Sequence, residues 1–214
     1  MENAFQDLDD WLATREMPNG KRKVIKAALI LFSKQGYDGT STAQIAETSG
    51  MSQATIFKYF KSKDDLLIFI IEPIIEHLLP EYGKDFVDQL QSADDSLEGL
   101  LHFVINNRYN FLVQNKDAAI ILFSQILIND QVKNMLLKKL EDLKDIFLNQ
   151  IWSKLKATKE MRDDVDVLSL IRLMASQMVF FFLQSQRIGH ITDEAEIQRN
   201  LDQIEQLVLR AIRK

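Results

Sequence analysis

Residues 40–63, TSTAQIAETSGMSQATIFKYFKSK, constrain the fold more than any other stretch of the chain. Thr40, Ser41 and Thr42 have side chains that accept a backbone N–H, so one of them is expected to cap a helix. Ile45 and Ala46 are the apolar residues of that helix, and Ala46 is small enough for a second helix to approach closely. Glu47 is expected in the first turns, where a negative charge suits the exposed amides. Gly50 stands where a left-handed residue ends a helix, Met51 plugs the turn, and Ser52 caps the next helix over 53–60. On that second helix Ile56 and Phe60, four apart, share the buried side, while Gln53, Thr55, Lys58 and Tyr59 can face outward. Two helices joined by a glycine-containing turn form a helix-turn-helix, whose second helix enters the DNA major groove. The same spacing also describes a helical hairpin that only packs.

Charge separates these two readings. The chain of 214 residues carries a formal −5, which by itself argues against nucleic acid. The average conceals a division. Residues 1–20 have a net charge of −4, residues 21–63 have +6, and residues 64–214 have −7. A basic segment that coincides with the helix-turn-helix is the footprint expected for phosphate contact, and the acidic remainder keeps DNA off the rest of the surface.

Only 7 Gly and 3 Pro break the chain, and 46% of it is apolar, so an all-α fold of long helices with a real core is expected. No cysteine is present, which removes a disulfide frame and thiolate chemistry and fits a reducing cytoplasm. The acidic start, MENAFQDLDD, is the opposite of a signal or transit peptide, and the longest uncharged runs, 173–186 and 118–129, are too short to span a bilayer. No membrane partner is expected.

Taken in order, residues 1–20 read as a loose or short helical extension closed by Pro18-Asn19-Gly20, with Trp11 and Leu12 available to dock. Residues 21–35 show Val24, Ala28, Leu31 and Phe32 on one face of a helix, and its basic start, Lys21-Arg22-Lys23, can reach a phosphate or serve as a solvated N-terminus. Ser62 caps a further helix, which Pro73 should kink and Pro80 should end. EYGKDFVDQL is then a short or frayed segment. Further helices follow over about 94–114, 117–128, 131–156 and 163–188, and a last one begins after Thr192 or Asp193. Its Ile197, Leu201, Ile204, Val208 and Ala211 repeat at 4-3-4-3 spacing.

The N-terminal third resembles the TetR family of bacterial transcriptional regulators. The shared run is Ala27-Ala28, Leu31-Phe32, Gly36-Tyr37, Thr40-Ser41, Ile45-Ala46, Gly50-Met51-Ser52, Thr55 through Lys63, and Leu66-Leu67, in register over about 45 residues. The resemblance implies an N-terminal three-helix DNA-binding domain followed by a helical ligand-binding and dimerisation domain, about nine helices in all. The divisions are 1–20 for the extension, 21–63 for the DNA-binding domain and 64–214 for the remainder. It implies a homodimer on a palindromic operator, usually repressing, and released by a small molecule. Thr40, Ser41, Thr42, Tyr59 and Lys63 match positions that touch phosphates, with Ser52 at the cap; Gln53, Ala54, Thr55 and Lys58 match positions that face base edges. Two residues depart from the pattern. Phe57 stands where many relatives have Tyr, so a hydroxyl contact is lost, and Ala54 replaces a frequent Gly, adding a methyl that can meet a thymine methyl.

The last two helices are the expected dimer interface, because an apolar stripe beside a helix apolar on two faces suits a four-helix bundle built from two subunits. For an effector, polar residues inside apolar helices are the candidates: His102, Asn106, Asn107, Gln125 and Gln177, with Phe103, Phe123, Met178 and Phe181 as walls. Taken singly, each polar residue reads first as a satisfied or exposed side chain. An enzyme is not expected, since the chain has no Gly-rich phosphate loop, no GxSxG and no HExxH. His77, His102 and His190 lack ligand spacing, so neither a metal nor a cofactor is expected. A nucleoid-associated or cell-division protein of the same fold, binding DNA without an inducer, is the alternative.

Overall fold

The computed structural model describes residues 8–214, and the fold is all-α as expected. Among the described residues the extended pairing amounts to an isolated bridge between Met161 and Arg213. The helices are α1 Leu8–Thr14, α2 Asn19–Gln35, α3 Thr42–Ser49, α4 Gln53–Tyr59, α5 Lys63–Pro73, α6 Leu79–Gln91, α7 Leu97–Gln114, α8 Lys116–Gln125, α9 Asp130–Ile146, α10 Ser153–Ala157, α11 Val167–Leu183 and α12 Glu194–Ile212. π-helical turns at Ile74–Leu78 and Phe147–Trp152 join α5 to α6 and α9 to α10, and a third, Gln184–Ile188, extends α11. Counted as continuous rods, the described residues give ten where about nine were expected. The additional one is α1.

The chain divides into two compact units. The first comprises the residues up to Tyr82 with Asn115–Asp142; the second comprises Gly83–Gln114 with Leu143–Lys214. This grouping sets 64–82 and 115–142 with the segment 21–63, so position 63/64 marks a change of charge rather than of packing.

In the first unit the core gathers Val24, Ile25, Ala28 and Phe32 of α2, Ile45 of α3, Ile56 of α4, Leu66, Leu67, Ile70 and Ile71 of α5, and Ile121 of α8. Leu31, expected on the buried face of α2, is only half-buried; Ile25 and Leu29 take the inward positions with Val24, Ala28 and Phe32. Trp11 and Leu12 belong to this core, so part of the N-terminal extension is docked. Arg22 closes the C-terminal end of α1 by donating to the carbonyls of Ala13 (3.3 Å) and Arg15 (2.9 Å). Residues 1–7 of the acidic leader lie outside the described residues.

Three expectations are corrected in this region. Glu47 is in the last turn of α3, because the helix begins only at Thr42. Pro80 does not end a helix: it is the second residue of α6, which runs on to Gln91. The π-turn before it explains this, since the Leu79 N–H donates to the Ile74 carbonyl and the register shift lets the rod pass a residue that has no N–H. The segment expected to be frayed is the body of α6, with Phe86 and Leu90 buried.

The second unit packs Leu97, Leu100, Leu101 and Ile105 of α7 with Leu170, Met178 and Phe181 of α11 and Leu201, Ile204, Val208 and Ile212 of α12. Asp193 caps α12, accepting from the Glu196 N–H at 2.7 Å. Ala211 is exposed, and Leu209 and Ile212 are buried in its place. Over 131–156 only Val132 and Leu155 are buried, and Leu140 is exposed. Val167–Ile188 is long and apolar enough to cross a membrane by length and composition. Counting uncharged runs missed this, because Arg172 interrupts the run without ending the helix.

If α1 is an integral part of the first unit, Leu12→Ala will destabilise it as a core truncation does, by about 2–5 kcal/mol. Denaturant unfolding followed by circular dichroism measures this. An unchanged midpoint would show that α1 contributes nothing to the unit.

Candidate nucleic-acid interface

Three local devices set the geometry of α3 and α4. Ser41 caps α3 through a reciprocal box: the Gln44 N–H donates to Ser41 Oγ (3.2 Å) and the Ser41 N–H donates to Gln44 Oε1 (2.8 Å). Gly50 ends α3 with φ 66° and ψ 24°, its N–H reaching the carbonyls of Ala46 and Glu47. A side chain there would meet no steric obstacle, so it is the left-handed backbone that calls for glycine. Ser52 caps α4, accepting from the Thr55 N–H at 3.1 Å.

With Ile56 and the following Phe60 anchored in the core, α4 turns Gln53, Ala54, Phe57 and Lys58 to solvent. Phe57 is 51% exposed, so the position noted for its missing hydroxyl offers an apolar ring on the same face. Thr42 and Gln53 are linked across the turn, the Thr42 hydroxyl donating to Gln53 Oε1 at 3.2 Å. Thr55 is half-buried and its hydroxyl pairs with that of Ser52 at 2.9 Å. Tyr59 is also half-buried. A Cβ on Gly20 would come within 3.3 Å of its hydroxyl and 3.2 Å of Met51 Sδ, so the start of α2 lies directly against α4 and the turn.

Two of the phosphate candidates are already engaged. Thr40 is 1% exposed, and its hydroxyl donates to the Gly36 carbonyl at 2.8 Å, which leaves Ser41 and Thr42 as the accessible members of that trio. Lys63 gives two of its three protons to the carbonyls of Tyr37 and Thr40, both at 2.9 Å, with its ammonium 4.1 Å from the Tyr37 ring centre. Burial, then the hydrogen bond that the Tyr37 hydroxyl donates to Asp64, push that phenol well above its ordinary range, so it remains a neutral donor. The basic start of α2 is similarly occupied: Lys21 lies over the rings of Phe69 (4.1 Å) and Phe60 (5.1 Å), and Arg22 holds α1. Lys23, Lys58 and Lys61 are exposed. Sequence patterning missed the uses of Lys21 and Lys63 because their partners are far along the chain.

The effector candidates do not form one group. His102, Phe103, Asn106 and Asn107 line a cavity of about 960 Å³ in the second unit, between α7 and the end of α12. His102 Nδ1 is 2.8 Å from Glu205 Oε2. Asn106 donates to the His102 carbonyl (2.9 Å), Asn107 donates to Gln89 Oε1 (3.2 Å), and Phe103 stacks on Phe86 at 5.3 Å. Met178 and Phe181 are core residues, Phe181 stacked on Tyr109 at 5.2 Å, and neither lines this cavity. Gln177 is half-buried on α11. Half-buried Phe123 and buried Gln125 stand on α8, in the first unit. Among the described residues no group of acidic or imidazole side chains is arranged to hold a metal.

Residues 24–69 match the family model of bacterial regulatory proteins, tetR family. The chain is similar to the biofilm operon icaADBC HTH-type negative transcriptional regulator IcaR of Staphylococcus epidermidis, 25% identical over 176 residues that cover 81% of this chain and 89% of IcaR. The HTH-type transcriptional regulator HbdR of an Aromatoleum species is 32% identical over 84 residues, 39% of this chain and 35% of HbdR. Among solved structures, FadR from Bacillus subtilis in complex with stearoyl-CoA has a TM-score of 0.63 at 16% identity, covering 87% of this chain and 96% of that one. The fatty acid degradation regulator FadR from Bacillus halodurans has a TM-score of 0.65 at 17% identity, covering 91% and 97%. The structural likeness establishes the fold, and the family match covers the segment that contains α3 and α4. Residues 24–69 therefore carry a domain of the tetR family of bacterial regulatory proteins, and the chain as a whole resembles regulators of that kind.

Proposed function

We propose that this regulator is a homodimeric repressor that reads a palindromic operator with α4 and is released by a small molecule bound in its second unit. The observation that carries the reading is the split of α4, with Ile56 locked in the core and Gln53, Ala54, Phe57 and Lys58 presented together. Gln53 and Lys58 can hydrogen-bond to base edges, Ala54 and Phe57 can meet thymine methyls, and Ser41, Thr42, Ser52, Thr55 and Tyr59 flank them toward the phosphates. Residues 21–63 serve as the reading head, and Lys63 orders that head from within. IcaR, a negative transcriptional regulator, supports repression, and the stearoyl-CoA complex of FadR supports a ligand-responsive second unit.

Dimerisation is supported by apolar surface on the last two long helices. Leu168 (66% exposed), Ile171 and Phe180 (63% exposed) on α11, with Leu207 on α12, leave more hydrophobic area in water than a monomer normally shows. A second copy covers such a face without placing Arg172 in hydrocarbon, so a cytoplasmic dimer accounts for α11 better than a bilayer does. Two heads about 34–36 Å apart then meet successive major grooves. The effector must bind the DNA-free arrangement more tightly than the DNA-bound one, or it shifts nothing.

Lys58→Ala is expected to weaken operator binding by about 1–3 kcal/mol and to relax sequence preference. Fluorescence anisotropy on operator and random duplexes tests this, and equal losses on both would make Lys58 a phosphate contact. A Leu168→Asp, Phe180→Asp double variant is expected to sediment as a folded monomer with strongly reduced operator affinity. A wild-type monomer at micromolar concentration would remove the dimer from the reading.

A further inference from the structure

The helix α1 lies outside the matched segment, and its hold on the first unit is slight. Seven residues make about two turns, too few for a helix to persist alone, so Leu8–Thr14 depends on docking for its shape. Over residues 11–16, Trp11 and Leu12 are buried while Ala13, Thr14, Arg15 and Glu16 are exposed. The seam beneath it is imperfect in two respects. A cavity of about 500 Å³ remains there, lined by Trp11, Arg15, Lys21, Phe69, Glu72 and His77. The Trp11 Nε1–H is buried with no acceptor, a cost incurred only while α1 is docked.

Arg22 is what closes this seam. Its guanidinium donates to the carbonyls of Ala13 and Arg15, at the end of α1 where the helix leaves carbonyls without backbone donors. The same guanidinium stands at the end of α2 that meets the reading helix. Gly20, two residues earlier, is packed on Tyr59 and Met51, and Lys21 lies over Phe60. A full positive charge is thus spent on two neutral carbonyls beside the surface read above as facing DNA. A phosphate accepts from a guanidinium in charge-assisted pairs that are roughly twice as strong as bonds to neutral partners. The strap itself is no substitute for that phosphate, since Asp9, Asp10 and Glu16 add negative charge to it against Arg15 alone.

We propose that α1 is an autoinhibitory strap: docked, it holds Arg22 on its own carbonyls, and released, it yields Arg22 to a DNA phosphate beside α4. The inference rests on the DNA-binding reading above and adds a restraint on it. The weak seam keeps release within reach, and the segment acts as a local two-state element whose balance sets how many phosphates the head can neutralise.

Anisotropy of the full chain on a random-sequence duplex across a salt series tests this without an operator. Trp11→Ala is expected to bind more tightly than wild type, with the gain growing about threefold between about 200 and 50 mM salt, as one added phosphate contact requires. Arg22→Ala alone is expected to change affinity by less than about twofold, and combined with Trp11→Ala it should abolish the gain. His77→Ala, at an exposed position, removes the ring stacked on Trp11 without touching α1 and should give a smaller change of the same sign. It keeps the test decisive if Trp11→Ala does not fold. Faster hydrogen exchange of the α1 amides in these variants would report the release. A salt-dependent loss of affinity in Arg22→Ala alone would show that Arg22 already touches DNA, and would overturn the strap. So would an unchanged affinity in both ring variants, or a gain that survives removal of Arg22. A wild type that binds no duplex at low salt would instead remove the DNA reading, and the strap with it.

Discussion

Lys63 joins three parts of the head with a single ammonium group. It donates to the carbonyls of Tyr37 and Thr40 and lies over the Tyr37 ring, while the hydroxyl of that ring donates to the neighbouring Asp64. Hydrogen bonds from a charged donor contribute about 1.5–3 kcal/mol each, so each of the two Lys63 bonds is comparable with the burial of a core leucine. Thr40 immediately precedes the α3–α4 pair and Lys63 follows it, so both ends of the helix-turn-helix are tied to one side chain. The outward face of α4 is therefore fixed from two directions: Ile56 and Phe60 hold it from within, and Lys63 closes the loop that contains it.

The same rod that begins at Lys63 is braced again beyond Pro73. There the π-turn brings His77 against Trp11, the two rings stacked at 6.3 Å, and places Glu76 2.7 Å from Lys139 of α9. Since Arg22 ties α1 to α2, a shift of α5 along its axis must strain the clasp at one end and the α1 contact at the other. A π-turn is a natural place to absorb such a shift, because its hydrogen bonds already run one register longer than those of the flanking helix. Trp11 and Leu12 of α1 are thus packed into the first unit, although the tetR-family match begins only at residue 24.

What could be read from the sequence was the chemistry that acts over a few residues. Ser41, Gly50 and Ser52 do in the structure what their types and spacing require, and Ile56 and Phe60 are buried as a four-residue interval dictates. The failures have a common cause in contacts made across long stretches of chain. Nothing near Lys63 reveals that its partners are the carbonyls of residues 37 and 40; Thr40 is a local exception, its hydroxyl turned inward to the Gly36 carbonyl four residues back. The boundary placed at 63/64 followed charge, whereas packing brings 115–142 back to the first unit. Polar residues in apolar helices were too broad a criterion for the cavity. It gathered His102, Phe103, Asn106 and Asn107 with Gln125, which stands in the other unit, and it missed Glu205, whose charge looked like ordinary solvent-facing helix surface.

Electrostatics connects the two halves of the proposed function. Eight bases in 21–63 suggest a strongly cationic head, yet Lys21, Arg22 and Lys63 are committed to rings and carbonyls inside it. Each phosphate that a protein neutralises adds about 0.9 to the salt slope of binding, so internal commitments lower the non-specific affinity that the raw count implies. If α4 reads base edges as proposed, a larger share of the binding energy comes from those contacts, which favours discrimination over general attachment to DNA. The acidic second unit extends the same principle. A surface of that sign repels phosphates from the wrong part of the protein. Under the proposed reading, the division of charge along the chain decides where the duplex settles.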